Sequence, residues 1–268
     1  MSHLLREQAP ITAAGWDLLD AEARRRLTPA LAARKLVDFS GPHGWDHSAT
    51  NIGRTELLAS TPQDGVSARQ RRVLSLVELR APFTVARSEL DDAERGAEDI
   101  ALGELDQAAQ QIARAENTAV FHGWAAAGIG GILEASTHDQ IPLGDDCQRY
   151  PTHIAQAVDA LRAAGIDGPY GLALGPEVHT HVLETSEHGG YPLLEHLREI
   201  LRGPVVWAPA VQGGAVVSMQ GGDFLFECGE DLSLGYDNHD ADAVHLYLEE
   251  TFSFRVATPE AAVALTTS

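Results

Sequence analysis

Asp46-His-Ser-Ala-Thr-Asn-Ile-Gly-Arg-Thr-Glu-Leu-Leu-Ala-Ser60 runs on into Thr61-Pro-Gln-Asp-Gly-Val-Ser-Ala-Arg-Gln-Arg-Arg-Val-Leu-Ser75. Ile52 to Leu58 reads as a strand, Ser60-Thr-Pro-Gln-Asp-Gly65 as a polar loop tip, and Val73 to Leu79 as the returning strand. Together they make a long hairpin. Large apolar residues are few between Asn51 and Arg72, so the hairpin has no core of its own. Two strands alone do not offset the chain entropy lost in ordering them. The arm is therefore expected to pack on something else, most often a neighbouring subunit.

Working outward, Leu102 to Trp124 carries the strongest helical pattern, with Leu105, Ala109, Ile112, Ala115, Ala119 and Val120 on one apolar stripe. Gly123, Gly128, Gly130 and Gly131 mark a boundary after it. On the N-terminal side, Thr12 to Arg26 reads as an amphipathic helix capped by Thr12, with Trp16, Leu19, Ala23 and Leu27 at helical spacing. Pro29 either kinks one long helix or, with Thr28, opens a second short one. Leu36 to Phe39 is a short strand, Ser40 to Trp45 a turn, Glu78 to Ala86 extended, and Ser88 to Arg95 a short helix stopped by Gly96.

From Ile132 to Gln220 helix and strand alternate. Helices are expected over Thr152–Ala164, Pro176–Glu184 and Pro192–Leu201, the last two opening with Pro at the first helical position. Strands are expected over Tyr170–Leu174, Val205–Trp207 and Ala215–Met219. The tail returns to β structure over Phe224–Cys228, Leu232–Leu234 and Val244–Val256.

The composition narrows the functional classes. The 268 residues are 44% hydrophobic and 22% charged, as in a globular chain with a sizeable core. With 19 Lys and Arg against 39 Asp and Glu, the formal charge of −20 repels phosphate backbones and argues against nucleic acid as a partner. Lys35 is the only lysine, which weakens Schiff-base and phosphate-loop chemistry. No apolar run approaches the ~18 residues of a membrane span. No signal peptide opens the chain, so a cytoplasmic location is expected. Cys147 and Cys228 cannot build a disulfide framework and read as half-buried thiols.

No constellation makes an active site. His179 and His181 are two apart and leave a helix on different faces, so no metal site is expected. Gly128-Ile-Gly-Gly131 follows a helix rather than a strand, against dinucleotide binding. Ser40 and Ser186 lack the nucleophile-elbow pattern. Asp91, Asp92 and Glu94 suit a solvated or subunit-contacting face, and Asp237 to Asp242 a polar turn rather than a calcium loop. No catalytic residue is assigned.

The residues resemble the encapsulins, the shell proteins of bacterial nanocompartments formerly described as bacteriocins of the linocin type. The resemblance is carried by Leu4-Leu-Arg-Glu-Gln-Ala-Pro-Ile-Thr12, Ala33-Arg-Lys-Leu-Val-Asp-Phe-Ser-Gly-Pro-His-Gly-Trp45, Glu78-Leu-Arg-Ala-Pro-Phe-Thr84 and Glu89-Leu-Asp-Asp-Ala-Glu-Arg-Gly96. It continues through Asp167-Gly-Pro-Tyr170, His188-Gly-Gly-Tyr-Pro192, Gly221-Gly-Asp-Phe224, Leu234-Gly-Tyr236 and Glu250-Thr-Phe-Ser-Phe254. Each motif alone is weak; their order along the whole chain makes the likeness specific.

The resemblance implies an α+β fold of the tailed-phage major capsid type. Residues 1–45, 76–131 and 221–268 would form a peripheral domain, 46–75 the extended loop, and 132–220 the axial domain. It implies a shell subunit that assembles with itself into an icosahedral cage of about 60 copies or a multiple. The cage would enclose a cargo enzyme, a dye-decolourising peroxidase or a ferritin-like protein, through a C-terminal peptide of that cargo. It places the cargo-peptide pocket at Leu27, Leu31, Arg34 and Asp38, completed by Leu232, Leu234 and Tyr236. It places a fivefold pore at Glu184, Glu187, His188, Gly189, Gly190 and Tyr191, the paired glycine being one more than the family pattern. Some members carry a flavin-stacking Trp where this chain has Ser88 beside Arg87, so no flavin is expected. A viral or prophage major capsid protein of the same fold is the alternative, and an α/β enzyme a more distant one.

Overall fold

The computed structural model describes residues 2–186 and 189–267. Helix α1 spans Ala13–Ala30, and the Thr12 hydroxyl accepts the Gly15 N–H at 3.2 Å as its cap. Pro29 lies inside the last turn of this one continuous helix, where its missing N–H costs a single hydrogen bond and the Leu31 N–H still reaches the Leu27 carbonyl. Strands β1 (Asp38–Ser40), β2 (Ala49–Leu57), β3 (Arg69–Ser75) and β4 (Val77–Ala86) follow. Next come α2 (Arg87–Glu94) and the long α3 (Gly103–Phe121).

The hairpin is present as β2 paired with β3, and most of its residues are exposed. Its return strand starts at Arg69, earlier than Val73, and ends at Ser75; from Val77 the chain pairs with a different sheet. A second correction concerns α3. Ala115, expected in its apolar stripe, is exposed, while Ala113 and the charged Glu116 point inward.

The second half contains α4 (Ile132–Ala135), β5 (Ile141–Pro142), α5 (Tyr150–Ala163), β6 (Tyr170–Leu174), α6 (Pro176–Glu184), α7 (Leu193–Leu201), β7 (Val205–Trp207) and β8 (Gly214–Ser218). Pro176 opens α6 as its first residue, whereas Pro192 is the extended cap before α7 rather than its first turn. The tail forms β9 (Phe224–Cys228), β10 (Ser233–His239), β11 (Ala243–Val256) and β12 (Ala262–Thr266).

Two five-stranded sheets organise the chain. In the first, β11 is the shared partner: it pairs with β4 over Ala243–Phe252, with β9 over Phe252–Val256, and with β10 on its other edge. Strand β1 adds to β9 in parallel. Helices α1 and α3 pack on this sheet, burying Leu19, Leu27, Leu105 and Ile112 against Phe83, Leu234 and Leu246. The second sheet runs β5-β12-β8-β6-β7 and packs against α5 and α7. Its central strands β6 and β8 are buried along their whole length, which explains their unbroken apolar sequence.

The last strand departs from the division expected above. Residues 221–256 join the first sheet, but Ala262–Thr266 cross over and pair with β8 and β5 in the second. Ala-Val-Ala-Leu is apolar on both faces and is buried there between β5 and β8. Where α3 meets α4, Gly131 lies so close to Gly123 that a Cβ on it would stand 2.2 Å from the Gly123 nitrogen. These glycines are a packing contact as well as a boundary.

Candidate functional site

An open cavity of about 380 Å3 lies between the C-terminal half of α1, the N-terminal segment at Arg6 and the start of β10. The helical spacing of α1 brings Leu27 to its inner wall, and the end of the helix leaves Leu31 half-buried at the rim. Leu232 and Leu234 face them from the other side. Polar groups frame these leucines. Arg6 holds Asp20 through two hydrogen bonds of 3.2 and 2.7 Å and lies 4.1 Å over the Trp16 ring. Arg24, Arg34, Asp231 and Ser233 complete the rim.

Of the residues expected to bind a cargo peptide, Leu27, Leu31, Arg34, Leu232 and Leu234 therefore converge on one cavity. Asp38 and Tyr236 do not line it. Asp38 sits on β1, where Oδ2 accepts the Gly222 N–H at 2.8 Å and fastens the turn before β9. Tyr236 is buried in the sheet; its hydroxyl bonds His239 Nδ1 at 2.6 Å, and its N–H donates to the Leu4 carbonyl. Strand alternation explains the latter, since Leu234 and Tyr236 share one face and only the first lies at the open end.

Arg34 is more committed than its sequence position indicates. Nε donates to Glu116 at 2.6 Å, Nη1 to Asp231 at 2.5 Å and Nη2 to Glu250 at 2.6 Å. Burial disfavours its charge, yet these three carboxylates outweigh that and raise its pKa. Glu116 and Glu250 are completely buried and lie against each other. Desolvation raises the pKa of both, and at Glu250 the charge of Glu116 raises it further, while the Arg34 cation pulls each back. No donor among the described residues reaches Glu116 Oε1 or Glu250 Oε1.

Glu116, Asp231 and Glu250 were not legible as a site from the sequence. The one available signal was Glu116 four residues after Ile112, an acid in line with a core stripe. Asn117 was missed as well. This buried amide accepts from the N–H groups of Ala32 and Ala33 and donates to the carbonyls of Ala30 and Pro209.

For the expected pore, Glu184 ends α6 exposed, and Gly189 and Gly190 take left-handed backbone with φ of +114° and +81°. Tyr191 is exposed and donates to Glu199 Oε1 at 2.8 Å. A bridge between Ser186 and Pro192 closes the base of this loop. Glu187 and His188 lie outside the described residues. Ser88 is exposed in the first turn of α2, beside Arg87. Cys147 is half-buried, whereas Cys228 is fully buried rather than half-buried. Among the described residues no helix is long and apolar enough to cross a membrane.

Comparison with known proteins places these features. The family model described as "Encapsulating protein for peroxidase" matches residues 1–253. The type 1 encapsulin shell protein of Rhodospirillum rubrum is 48% identical over 99% of this chain and 96% of its own length. That of Mycolicibacterium paratuberculosis is 44% identical over 99% of this chain and the whole of its own. Among solved structures, a virus-like particle from Pyrococcus furiosus superposes with a TM-score of 0.59 at 19% identity, covering 91% of this chain and 97% of that one. The capsid of Myoviridae phage XM1 gives 0.53 at 12% identity, covering 90% and 92%. The likeness to phage capsids is thus one of fold, whereas the likeness to the bacterial shell proteins extends through the sequence. With the family model matching 1–253 and relatives of 44 to 48% identity along nearly its full length, this chain belongs to the type 1 encapsulin shell proteins, structural subunits rather than enzymes.

Proposed function

We infer that this shell subunit seats a C-terminal peptide of its cargo enzyme in the cavity between α1 and β10, on the inner wall of a closed icosahedral shell of about 60 copies or a multiple. The observation that carries this reading is the convergence of Leu27, Leu31, Leu232 and Leu234 on one open cavity framed by charged groups. Apolar walls take aliphatic anchors from the peptide, each worth ~1.5–3 kcal/mol when buried. Ordering the flexible peptide returns ~0.5–1.5 kcal/mol per immobilised side chain. One peptide then binds modestly, and an oligomeric cargo gains by avidity. A peroxidase of the dye-decolourising type or a ferritin-like protein is the cargo class that fits the family.

In the same reading, the segment that contains the exposed Glu184, Gly189, Gly190 and Tyr191 is the rim of a fivefold opening, and its paired glycines take backbone conformations that other residues adopt only with strain. The docking site is tested with Leu31→Asp, which places a charge among the leucines. Intact shells without cargo are expected. Cargo retained at the wild-type level by co-purification would move the docking site elsewhere.

A further inference from the structure

A second cavity, of about 350 Å3, lies where α1, α3 and the turn after β7 meet. Its lining contains Arg25, Arg26 and Arg114 and no carboxylate. In a chain of net charge −20 this is a local reversal of sign. Arg25 and Arg26 are held by Glu22, and Arg26 also by Asp106 at 2.8 Å. Arg114 is exposed on α3 and has no ion-pair partner among the described residues, so it is the cation left for a ligand.

The rest of the wall is apolar. Trp207, at the end of β7, remains 38% exposed, and Pro29 and Pro209 flank the same space. These walls are fixed in advance. The buried Asn117 amide donates to the Ala30 carbonyl at 2.8 Å and to the Pro209 carbonyl at 3.2 Å, tying the α1 wall to the Trp207 turn. The Ala208 N–H donates to the Leu174 carbonyl at 2.8 Å. Ala210 is held at a φ of +75°, a conformation unfavourable for a residue with a side chain. The turn that presents Trp207 is thus bolted in place at some local cost, as preorganised ligand walls are.

A partly exposed indole and an uncommitted guanidinium lining one cavity suit one chemistry. A flat aromatic ring stacks on the tryptophan, and an anionic oxygen group takes the fork of the arginine. The volume is in the range of small-molecule sites, about 300–1,000 Å3. A nucleic-acid strand is disfavoured by the field of the whole chain, whereas a single small anion meets chiefly the local arginines. We propose that this cavity binds a small planar aromatic phosphate of the mononucleotide class, its ring on Trp207 and its phosphate on Arg114. The site is separate from the cargo cavity and does not depend on the docking reading.

The test is calorimetric titration of intact shells with AMP, alongside adenosine and inorganic phosphate as its two halves. Saturable binding of one AMP per subunit is expected, with each half weaker by about tenfold or more. Arg114→Gln and Trp207→Leu are each expected to weaken AMP by about tenfold or more while shells still assemble and load cargo. Four results overturn the proposal: no saturable binding of AMP to intact shells, binding unchanged in both variants, inorganic phosphate binding as tightly as AMP, or failed assembly of Arg114→Gln. The last outcome would make Arg114 a contact between subunits instead.

Discussion

Arg34 with its three carboxylates shows how much one side chain can fasten. It joins the segment after α1 to α3 through Glu116, to β11 through Glu250 and to the turn before β10 through Asp231. Removing the cation from a buried cluster leaves uncompensated charge, so Arg34→Ala is expected to cost about 3–5 kcal/mol in denaturant unfolding. Glu250→Gln keeps the shape and removes the repulsion with Glu116, and is expected to stay within about 1 kcal/mol of wild type at neutral pH. The two also differ in pH dependence. The pair's folded pKa is raised above the ordinary carboxylate value of 4.5, so the folded state holds a proton that the unfolded chain has released. Its stabilising contribution is complete below that ordinary value and is lost as pH rises through the folded one. Glu250→Gln should flatten this decline, as urea midpoints measured across the pH range would show; an unchanged slope would place the titration elsewhere. Cys228 belongs to the same neighbourhood: burial, then the nearby Asp231, pushes its thiol up to about 12. Thiol-labelling of the native subunit is expected to modify Cys147 and leave Cys228 untouched until unfolding.

At the scale of elements, the β2–β3 hairpin and α3 are opposites. Helix α3 buries Leu105, Ala109, Ile112 and Val120 and packs chiefly on α1 and β4. The hairpin exposes Leu57, Val66 and Val73, with relative exposures of 62%, 57% and 49%. Arg54 and Arg72 stand directly opposite each other in it, a like-charge pair that weakens an isolated ladder. Such an arm contributes little to its own subunit and needs contacts beyond it. Deleting Thr55 to Arg71 is therefore expected to leave the subunit folded, with its melting temperature within a few degrees, while shells fail to close. Electron microscopy and size-exclusion chromatography separate the two effects, and normal particles from the deletion would remove the arm from assembly.

For the molecule as a whole, β11 and β12 are the organising strands. The first is the common partner of β4, β9 and β10, and the second carries the end of the described chain into the other sheet. Terminating the chain after Ala257 removes β12 from between β5 and β8 and exposes the apolar strand β8 along one edge. This truncation is expected to yield insoluble subunit, in contrast to the hairpin deletion, because it opens a core instead of an outer contact. Soluble shells from the truncated chain would show that the second sheet closes without it.

The helices and most strands were legible in the sequence because their signals are local. The Thr12 cap, the stripe of α3, the unbroken apolar run of Tyr170–Leu174, the proline that opens α6 and the one that caps α7 act over a turn or a few residues, through sterics and nearest hydrogen bonds. The bare hairpin was legible for the same reason: Asn51 to Arg72 cannot form a core whatever its surroundings. The leucines of the cavity between α1 and β10 were found through likeness to a family, and the fold then brought five of those expected residues together while leaving Tyr236 further along the strand, away from the open end, and Asp38 on a different turn. What the tertiary structure alone decided is long-range. Arg34 and Glu250 are 216 positions apart, and no periodicity links them; only the packing of the segment after α1 against α3 and β11 brings them together, with Glu250 fully buried. Ala262–Thr266 is equally apolar whichever sheet receives it, and only the tertiary pairing with β8 and β5 decides its place.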